Sequence, residues 1–306
     1  MTYIGIDTSN YTTSIAAFDG ERGINCSRLL PVKQGELGLR QSDAVFAHIK
    51  SLPELSGRLF SDAMGDLRAV GVSTRPRAVE GSYMPCFMVG LSHAKLLADA
   101  FGVPLVEVSH QQGHVAAALW SAGHLELMDE PHLAWHLSGG TTELLLVEPE
   151  GRNVRCSRIG GTTDISAGQL IDRTGQLLEL PFPSGRYLDT LSREAEGKDL
   201  FKVKCQDMQF SLSGVQNKVQ QFREKGGSPE ETAAFSLRCI CGAVFRATEQ
   251  ALLKYPGCRV VFSGGVASNS MLRRELAPLG PVFSEPQYST DNAMGVAVLA
   301  HRLTEG

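Results

Sequence analysis

The 306-residue chain has no apolar run approaching the roughly 18–20 residues of a membrane span, which excludes a protein built on membrane-crossing helices. It has no excess of basic charge. Its 29 Lys and Arg stand against 33 Asp and Glu, for a net charge of −4, so it is no general coat for nucleic acid. Any RNA contact would need a local basic patch or a basic partner. No basic segment precedes the first apolar run: Met1-Thr2-Tyr3-Ile4-Gly5-Ile6-Asp7 meets an acid at once and reads as a buried strand, not a secretion signal. The seven cysteines show no paired spacing. Cys239 and Cys241 are close, but at a separation that suits neither a zinc knuckle nor a redox pair, and free thiols in a cytoplasmic protein are expected. Low-complexity tracts and long linkers are absent too. The 42% hydrophobic fraction excludes a disordered chain. The length exceeds the roughly 100–200 residues of one domain, so two lobes or one large α/β unit is expected.

What the chain does have is punctuation. Its 32 glycines and 14 prolines cluster at the ends of apolar runs, as in a strand-and-helix alternation. The patterns predict strands over residues 3–7, 12–18, 67–73, 105–108, 132–138, 143–148, 154–159 and 259–263. They predict helices around 43–49, 52–64, 83–101, 110–120, 167–178, 214–224, 229–254, from after Gly264-Gly265 through 274, and 291–302, with a polar loop over 34–42. The first strand, turn and strand, Gly5 to Ile15, is matched by His136 to Leu144 roughly 130 residues later, a period too long for a solenoid. Two hairpins with turns rich in small residues suggest two similar lobes. Such turns let backbone N–H groups approach an anion closely. Each hairpin alone also reads as an ordinary one.

His110-Gln111-Gln112-Gly113-His114 sets two imidazoles at i and i+4, on one side of a helix and about 5–6 Å apart at Cβ. Neutral imidazoles at this spacing suit a divalent transition metal, although a helix with one surface and one packed histidine gives the same pattern. The zinc-protease helix is excluded, because it needs a glutamate base beside the first histidine and Gln111 stands there. Thr290-Asp291-Asn292 either caps the last helix or brings a carboxylate ligand to the metal. The run from Val260 through Gly264 and Gly265 to Asn269 is a strand, a glycine pair and a helix start. There Asn269 bonds a nucleoside edge or merely caps the helix. Asp172 is a ribose-binding carboxylate or a surface partner of Arg173.

Taken together these pieces resemble the TsaD-type catalytic subunit of tRNA threonylcarbamoyl-adenosine synthase, a family that long carried the label O-sialoglycoprotein endopeptidase. The resemblance runs from Ile4 to His301. It rests on Gly5-Ile6-Asp7-Thr8-Ser9, His110 with His114, Ser138-Gly139-Gly140, Asp172 with Leu177-Leu178, Pro183-Ser184-Gly185, Phe210 to Gly214, Gly264 to Asn269 and Thr290-Asp291-Asn292. It implies the duplicated α/β fold of actin, sugar kinases and heat-shock ATPases, with two lobes around a nucleotide cleft. Residues 1–125 would form the N-terminal lobe and 126–306 the C-terminal lobe, the final helix being free to pack back on the first. It also implies transfer of a threonylcarbamoyl group from threonylcarbamoyl-AMP to N6 of the tRNA adenosine beside the anticodon. The metal would be iron, zinc, manganese or magnesium on His110, His114 and Asp291. The adenine nucleotide (ATP, ADP or threonylcarbamoyl-AMP) would meet Leu137, Ser138, Gly139, Gly140, Thr141, Asp172, Gly185, Asp189, Gly264, Gly265 and Asn269. Asp7 and Ser138 would be catalytic. Implied partners are a related actin-like subunit, a small ATPase subunit and tRNA, with a homodimer equally open. Lys33, Arg40, Lys50, Arg75 and Arg77 are the candidates for a local basic patch.

The sequence departs from the family pattern near the reaction. Asn10, Tyr11 and Thr12 follow Asp7-Thr8-Ser9 where the family has a cysteine and two acids. Gln112 replaces the glutamate of His-x-Glu-Gly-His, Thr141 the histidine of Ser-Gly-Gly-His, and Gln216 a lysine. General acid–base help is typically worth about 10²–10⁴ in rate, so these losses leave binding possible without turnover. Two expectations follow: a metal- and nucleotide-dependent transferase, or a divergent paralog that serves as an ATP- or ADP-binding scaffold or regulator.

Overall fold

The computed structural model describes residues 1–9, 11–31, 39–63 and 65–305. Asn10, Lys33, most of the expected 34–42 loop and Met64 lie outside the described residues. The chain forms two compact units. One comprises Met1–Glu130, Glu148–Cys156 and Asp291–Gly306, the other Pro131–Val147 and Ser157–Thr290.

The first unit begins with β1 (Thr2–Ser9), β2 (Thr12–Phe18), β3 (Gly23–Leu29), α1 (Gln41–Ala63), β4 (Leu67–Arg75), α2 (Phe87–Phe101), β5 (Leu105–Ser109) and α3 (His110–Ser121). Its sheet has the order β3-β2-β1-β4-β5. The hairpin strands β1, β2 and β3 run antiparallel, and β4 and β5 join parallel to β1. Every residue of β1 and β2 is buried, because helices cover both sheet faces. Ile4, Ile6, Ile15, Val70 and Val72 meet Leu52, Leu55 and Leu59 of α1 and Ala94 and Ala98 of α2. Asp7 sits inside that apolar strand.

The second sheet and its helices follow as β6 (His132–Leu137), β7 (Thr142–Glu150), β8 (Asn153–Thr162), α4 (Ala167–Leu177), α5 (Gly185–Ser192), β9 (Cys205–Gln206), β10 (Gln209–Phe210), α6 (Ser213–Glu224), α7 (Pro229–Lys254), β11 (Val260–Ser263), α8 (Ser270–Leu276) and β12 (Val282–Phe283). The strand order is β12-β11-β6-β7-β8-β10-β9. Its stretch β8-β7-β6-β11-β12 repeats the order of the first sheet, a hairpin extended by parallel strands, which is the duplication expected from the two turns. Trp135 anchors this core; its Nε1 donates to Thr248 Oγ1 of α7 at 2.9 Å, so the buried indole N–H is satisfied. Capping boxes start α4 at Ser166 with Gln169 and α7 at Ser228 with Glu231.

The last helix, α9 (Met294–Thr304), belongs to the first unit and lies against β1, β2, β4 and α3. Several predicted boundaries move. The helices expected over 43–49 and 52–64 are, as far as Ala63, the single helix α1, with Pro53 accommodated inside it. Helix α2 starts at Phe87, since Pro85 confines the preceding residues to turns. The helix expected after Gly264-Gly265 through 274 is a 3₁₀ turn, Gly265–Ser268, followed by α8. The last helix starts at Met294 rather than 291, with Asn292 Oδ1 accepting from Met294 N–H, so Asp291 is not its cap.

Candidate functional site

Helix α3 begins where it does because Ser109 is extended at φ −90° and ψ 154°, and its hydroxyl accepts from Gln112 N–H. Gln112 Oε1 returns the bond to Ser109 N–H at 2.8 Å, completing a capping box that leaves His110 as the first helical residue. Gln112 Nε2 donates to the Val154 carbonyl at 2.8 Å, and the side chain is buried. This residue, which stands where the family pattern has a glutamate, is therefore part of the helix cap, with both polar atoms of its side chain engaged within the fold.

Asp291 reaches α3 through a close helix crossing. A Cβ on Gly295 of α9 would overlap the Gly113 carbonyl of α3, and a Cβ on Gly5 of β1 would overlap Ala293 O and Ala297 N. Only residues without a side chain allow this approach. It sets the residue four before Gly295 beside those flanking Gly113. His110 Nε2 and His114 Nε2 are 2.8 Å apart, and Asp291 Oδ1 lies 3.6 Å from the first and 3.3 Å from the second. Behind His110, Asp7 Oδ2 meets Nδ1 at 2.6 Å, while Asp7 Oδ1 accepts from Ser9 N–H and Ser73 Oγ, each at 2.9 Å.

The electrostatics follow from this packing. Burial pulls the His110 pKa down, but the Asp7 and Asp291 carboxylates outweigh it and raise it to about 10. Burial pushes Asp291 up, yet its bonds to His110 and His114 hold it well below the ordinary carboxylate value. Three donor atoms of hard and borderline character thus converge, all within 4.8 Å of one another. At bond lengths of about 2.0–2.2 Å, neighbouring ligands of a tetrahedral or octahedral ion stand about 2.9–3.5 Å apart, close to the edges of this triangle. The residues fit one divalent ion.

The nucleotide candidates lie in the second unit. Leu137 is core, so only its backbone is available to a ligand. Ser138 closes the β6–β7 turn: its N–H donates to Thr141 O at 2.8 Å, and its hydroxyl accepts from Thr141 N–H at 3.1 Å. Gly139 and Gly140 are exposed, with open space where a Cβ would be. Ser166 Oγ braces the turn by donating to Gly139 O at 2.6 Å, a role that no motif around Ser166 announces. Gly264 has φ +92°, and a Cβ there would overlap the Leu137 carbonyl, so the β11 turn and the β6–β7 turn touch directly. Gly265 beside it is exposed. Asp172 accepts from Ser184 N–H at 2.9 Å, next to Gly185 at the start of α5; burial raises its pKa and that bond only partly offsets it. Asp189 is engaged within the fold, its Oδ1 accepting from Ser270 N–H and Oγ and its Oδ2 pairing with Arg193. Asn269 Oδ1 accepts from Leu272 N–H at 3.0 Å and caps α8. Gln216 accepts from Arg173. Of the basic residues, Arg40, Lys50, Arg75 and Arg77 are exposed, and Lys50 lies over the Phe46 ring.

The sequence profile of the family described as TsaD, tRNA N6-adenosine threonylcarbamoyltransferase, matches residues 36–298. A protein of that name from Carboxydothermus hydrogenoformans is 31% identical over 325 aligned positions, covering 99% of this chain and 92% of that one. The chain belongs to the tRNA N6-adenosine threonylcarbamoyltransferase family. A second threonylcarbamoyltransferase, from Streptococcus suis, is 34% identical over 224 positions, 69% of this chain and 62% of its own length. Solved structures agree on the fold of this family member. The component A of (R)-2-hydroxyglutaryl-CoA dehydratase from Acidaminococcus fermentans superposes with a TM-score of 0.59 at 15% identity, covering all of both chains. A ROK family glucokinase from Streptomyces griseus gives 0.56 at 11%, over 99% of this chain and all of that one. Full-length HypF gives 0.61 at 15%, over 99% of this chain and 56% of HypF. The actin and sugar-kinase architecture is therefore the fold of this chain.

Proposed function

We propose that this protein transfers a threonylcarbamoyl group from threonylcarbamoyl-AMP to N6 of a tRNA adenosine, with one divalent metal on His110, His114 and Asp291. The observation that carries the reading is the triangle of Nε2, Nε2 and Oδ1, with edges of 2.8, 3.3 and 3.6 Å. Two imidazoles and one carboxylate suit iron, zinc or manganese better than magnesium, which prefers an all-oxygen shell. Such an ion, when bound, supplies Lewis acidity to a phosphate or carbonyl oxygen. The chain's own groups hold the donor. The Ser138–Thr141 turn offers backbone to phosphate, and the exposed Gly265 admits a flat ring, while Gly264 packs on the Leu137 carbonyl. Asp172, half-buried beside Gly185, offers a carboxylate oxygen to a ribose hydroxyl. Asp189 and Asn269 hold the start of α8 in place for that ligand rather than reaching out from it. A tRNA acceptor is a cytoplasmic substrate, and the cytoplasm is the location that goes with this reading; no helix among the described residues is long and apolar enough to cross a membrane. With a net charge of −4, tRNA would be held through a local basic patch, for which Arg40, Lys50, Arg75 and Arg77 are exposed, or through a partner such as a subunit of the same fold or a small ATPase.

The test is incubation of the metal-loaded protein and its partners with unmodified tRNA and threonylcarbamoyl-AMP, followed by mass spectrometry of the nucleosides. Modified adenosine that disappears in H114A supports the reading. No product beside an active family member rejects it. In that event, adenine-nucleotide binding by calorimetry would favour a scaffold or regulator without turnover. That second reading draws on Tyr11 and Thr141, which stand where the family carries an acid and a histidine.

A further inference from the structure

Asp7 is fixed on the side of His110 away from Asp291. Its Oδ2 faces Nδ1 at 2.6 Å, whereas Asp291 and His114 face Nε2. The two ring nitrogens point away from each other, so a group on Nδ1 cannot ligate the ion that Nε2 addresses. Asp7 is 1% exposed, and its other oxygen is taken by Ser9 N–H and Ser73 Oγ. No substrate atom reaches it. A buried carboxylate is costly unless its lone pairs are filled, and here three donors fill them. Those donors also leave the carboxylate one orientation.

We infer that Asp7 is a positioning residue for the metal centre: it keeps the His110 proton on Nδ1, so that Nε2 is presented as a ligand. The inference rests on the metal reading above. It gives Asp7 a role through His110 in place of the direct catalytic role expected from the sequence. A neutral imidazole has one proton and two nitrogens. A carboxylate on Nδ1 selects the tautomer, aims the ring and makes Nε2 a stronger donor. Ser73 and the Ser9 backbone hold the carboxylate in turn. The β1 strand therefore serves the centre from behind, at a distance from any reacting atom.

The test uses the full chain stripped of metal and titrated with Zn²⁺ against a chromophoric chelator, with melting curves to establish folding. Removing an outer-shell partner of this kind typically costs about 10–100-fold in metal affinity, and D7A is expected in that range. S73A, which only frees the carboxylate to turn, should lose less in the same direction. Nitrogen-15 spectra of the histidines should show His110 protonated at Nδ1 in the wild-type zinc form, with the other tautomer gaining population in D7N. Wild-type zinc affinity in folded D7A overturns the inference, as does a wild-type His110 that ligates through Nδ1. If D7A does not fold, D7N decides: a His110 spectrum identical to wild type overturns it. Failure of the wild type to bind zinc, iron or manganese removes the metal reading itself, and the inference with it.

Discussion

Substituting Gly295 by alanine tests how the centre is assembled without touching any of its ligands. The new methyl group would overlap the Gly113 carbonyl and crowd Ala117 N on α3. These are backbone atoms that cannot rotate away, so α9 and α3 must separate. Overpacking of a close contact costs about 1–3 kcal/mol, and a backbone-on-backbone clash belongs at the upper end. For a cooperative unit of this size, about 2–3 kcal/mol lowers the melting temperature by about 4–12 °C. Asp291 lies one turn before the clash, with its oxygen 3.3 Å from His114 Nε2. A separation that moves it outward opens the triangle on its carboxylate side, so zinc affinity should fall at least about tenfold, the low end of the loss expected for a disturbed ligand set. Differential scanning calorimetry and chelator competition read the two effects on one sample. If G295A melts with the wild type and binds zinc equally well, the close crossing does not hold Asp291 in place.

Restoring the family's glutamate in Q112E should destabilise the protein by about 1–3 kcal/mol, because a carboxylate cannot donate to the buried Val154 carbonyl; a tenfold gain in transfer activity would show that residue 112 does face the reaction. In metal-free protein His110, with its pKa raised to about 10, is a cation at neutral pH. Its pairing stabilises the fold fully below the unfolded histidine value and is lost as pH rises through about 10. Metal must displace that proton, so affinity should climb about tenfold per pH unit between pH 6 and 8 with proton release, and pH-independent binding would contradict this. Asp164 accepts from Ser211 Oγ, Ser213 Oγ and Leu212 N–H at the start of α6, and these bonds outweigh burial to lower its pKa to about 2. D164A should cost about 1–2 kcal/mol, as loss of a helix cap does. A depressed carboxyl stabilises above its unfolded pKa, so the difference from wild type should shrink as pH falls through about 2; urea melts across pH 2–7 measure it.

Much of the fold is legible from the residues. The 3.6-residue and alternating patterns place most helices and strands, and the two small-residue turns announce the duplication later seen in the matching strand orders. Boundaries were lost where tertiary contacts decide. Pro53 sits inside α1, against the usual rule, because the flanking Leu52 and Leu55 are buried in the core. The β3 strand, Gly23–Leu29, has no sequence signal because none of its residues is fully buried and it lacks an apolar run. The triad was legible through His110 and His114, since i and i+4 share a side of any helix. For Asp291 the residues left a helix cap and a carboxylate ligand equally open, because nothing local links it to His114, 177 positions away, and the resemblance pointed to the ligand. What joins them is Gly113 against Gly295, and a glycine in a sequence does not say which backbone it admits.

Gln112 shows where reasoning from a motif misleads. A change from glutamate to glutamine reads as loss of a base if the side chain is assumed to face substrate. Its carbonyl oxygen instead completes the cap of α3, which either residue type can do, and only the amide can also reach Val154. That departure therefore says nothing against turnover. Tyr11 and Thr141 differ from it: Tyr11 is 41% exposed beside the first turn, and Thr141 closes the turn that carries Gly139 and Gly140. Thr12 and Gln216 depart from the family pattern as well, Thr12 buried in β2 and Gln216 accepting from Arg173, so lost chemistry is to be sought among these four positions rather than at Gln112. The choice between transferase and scaffold accordingly depends on whether transfer proceeds without the acids, imidazole and lysine of the family pattern at these positions.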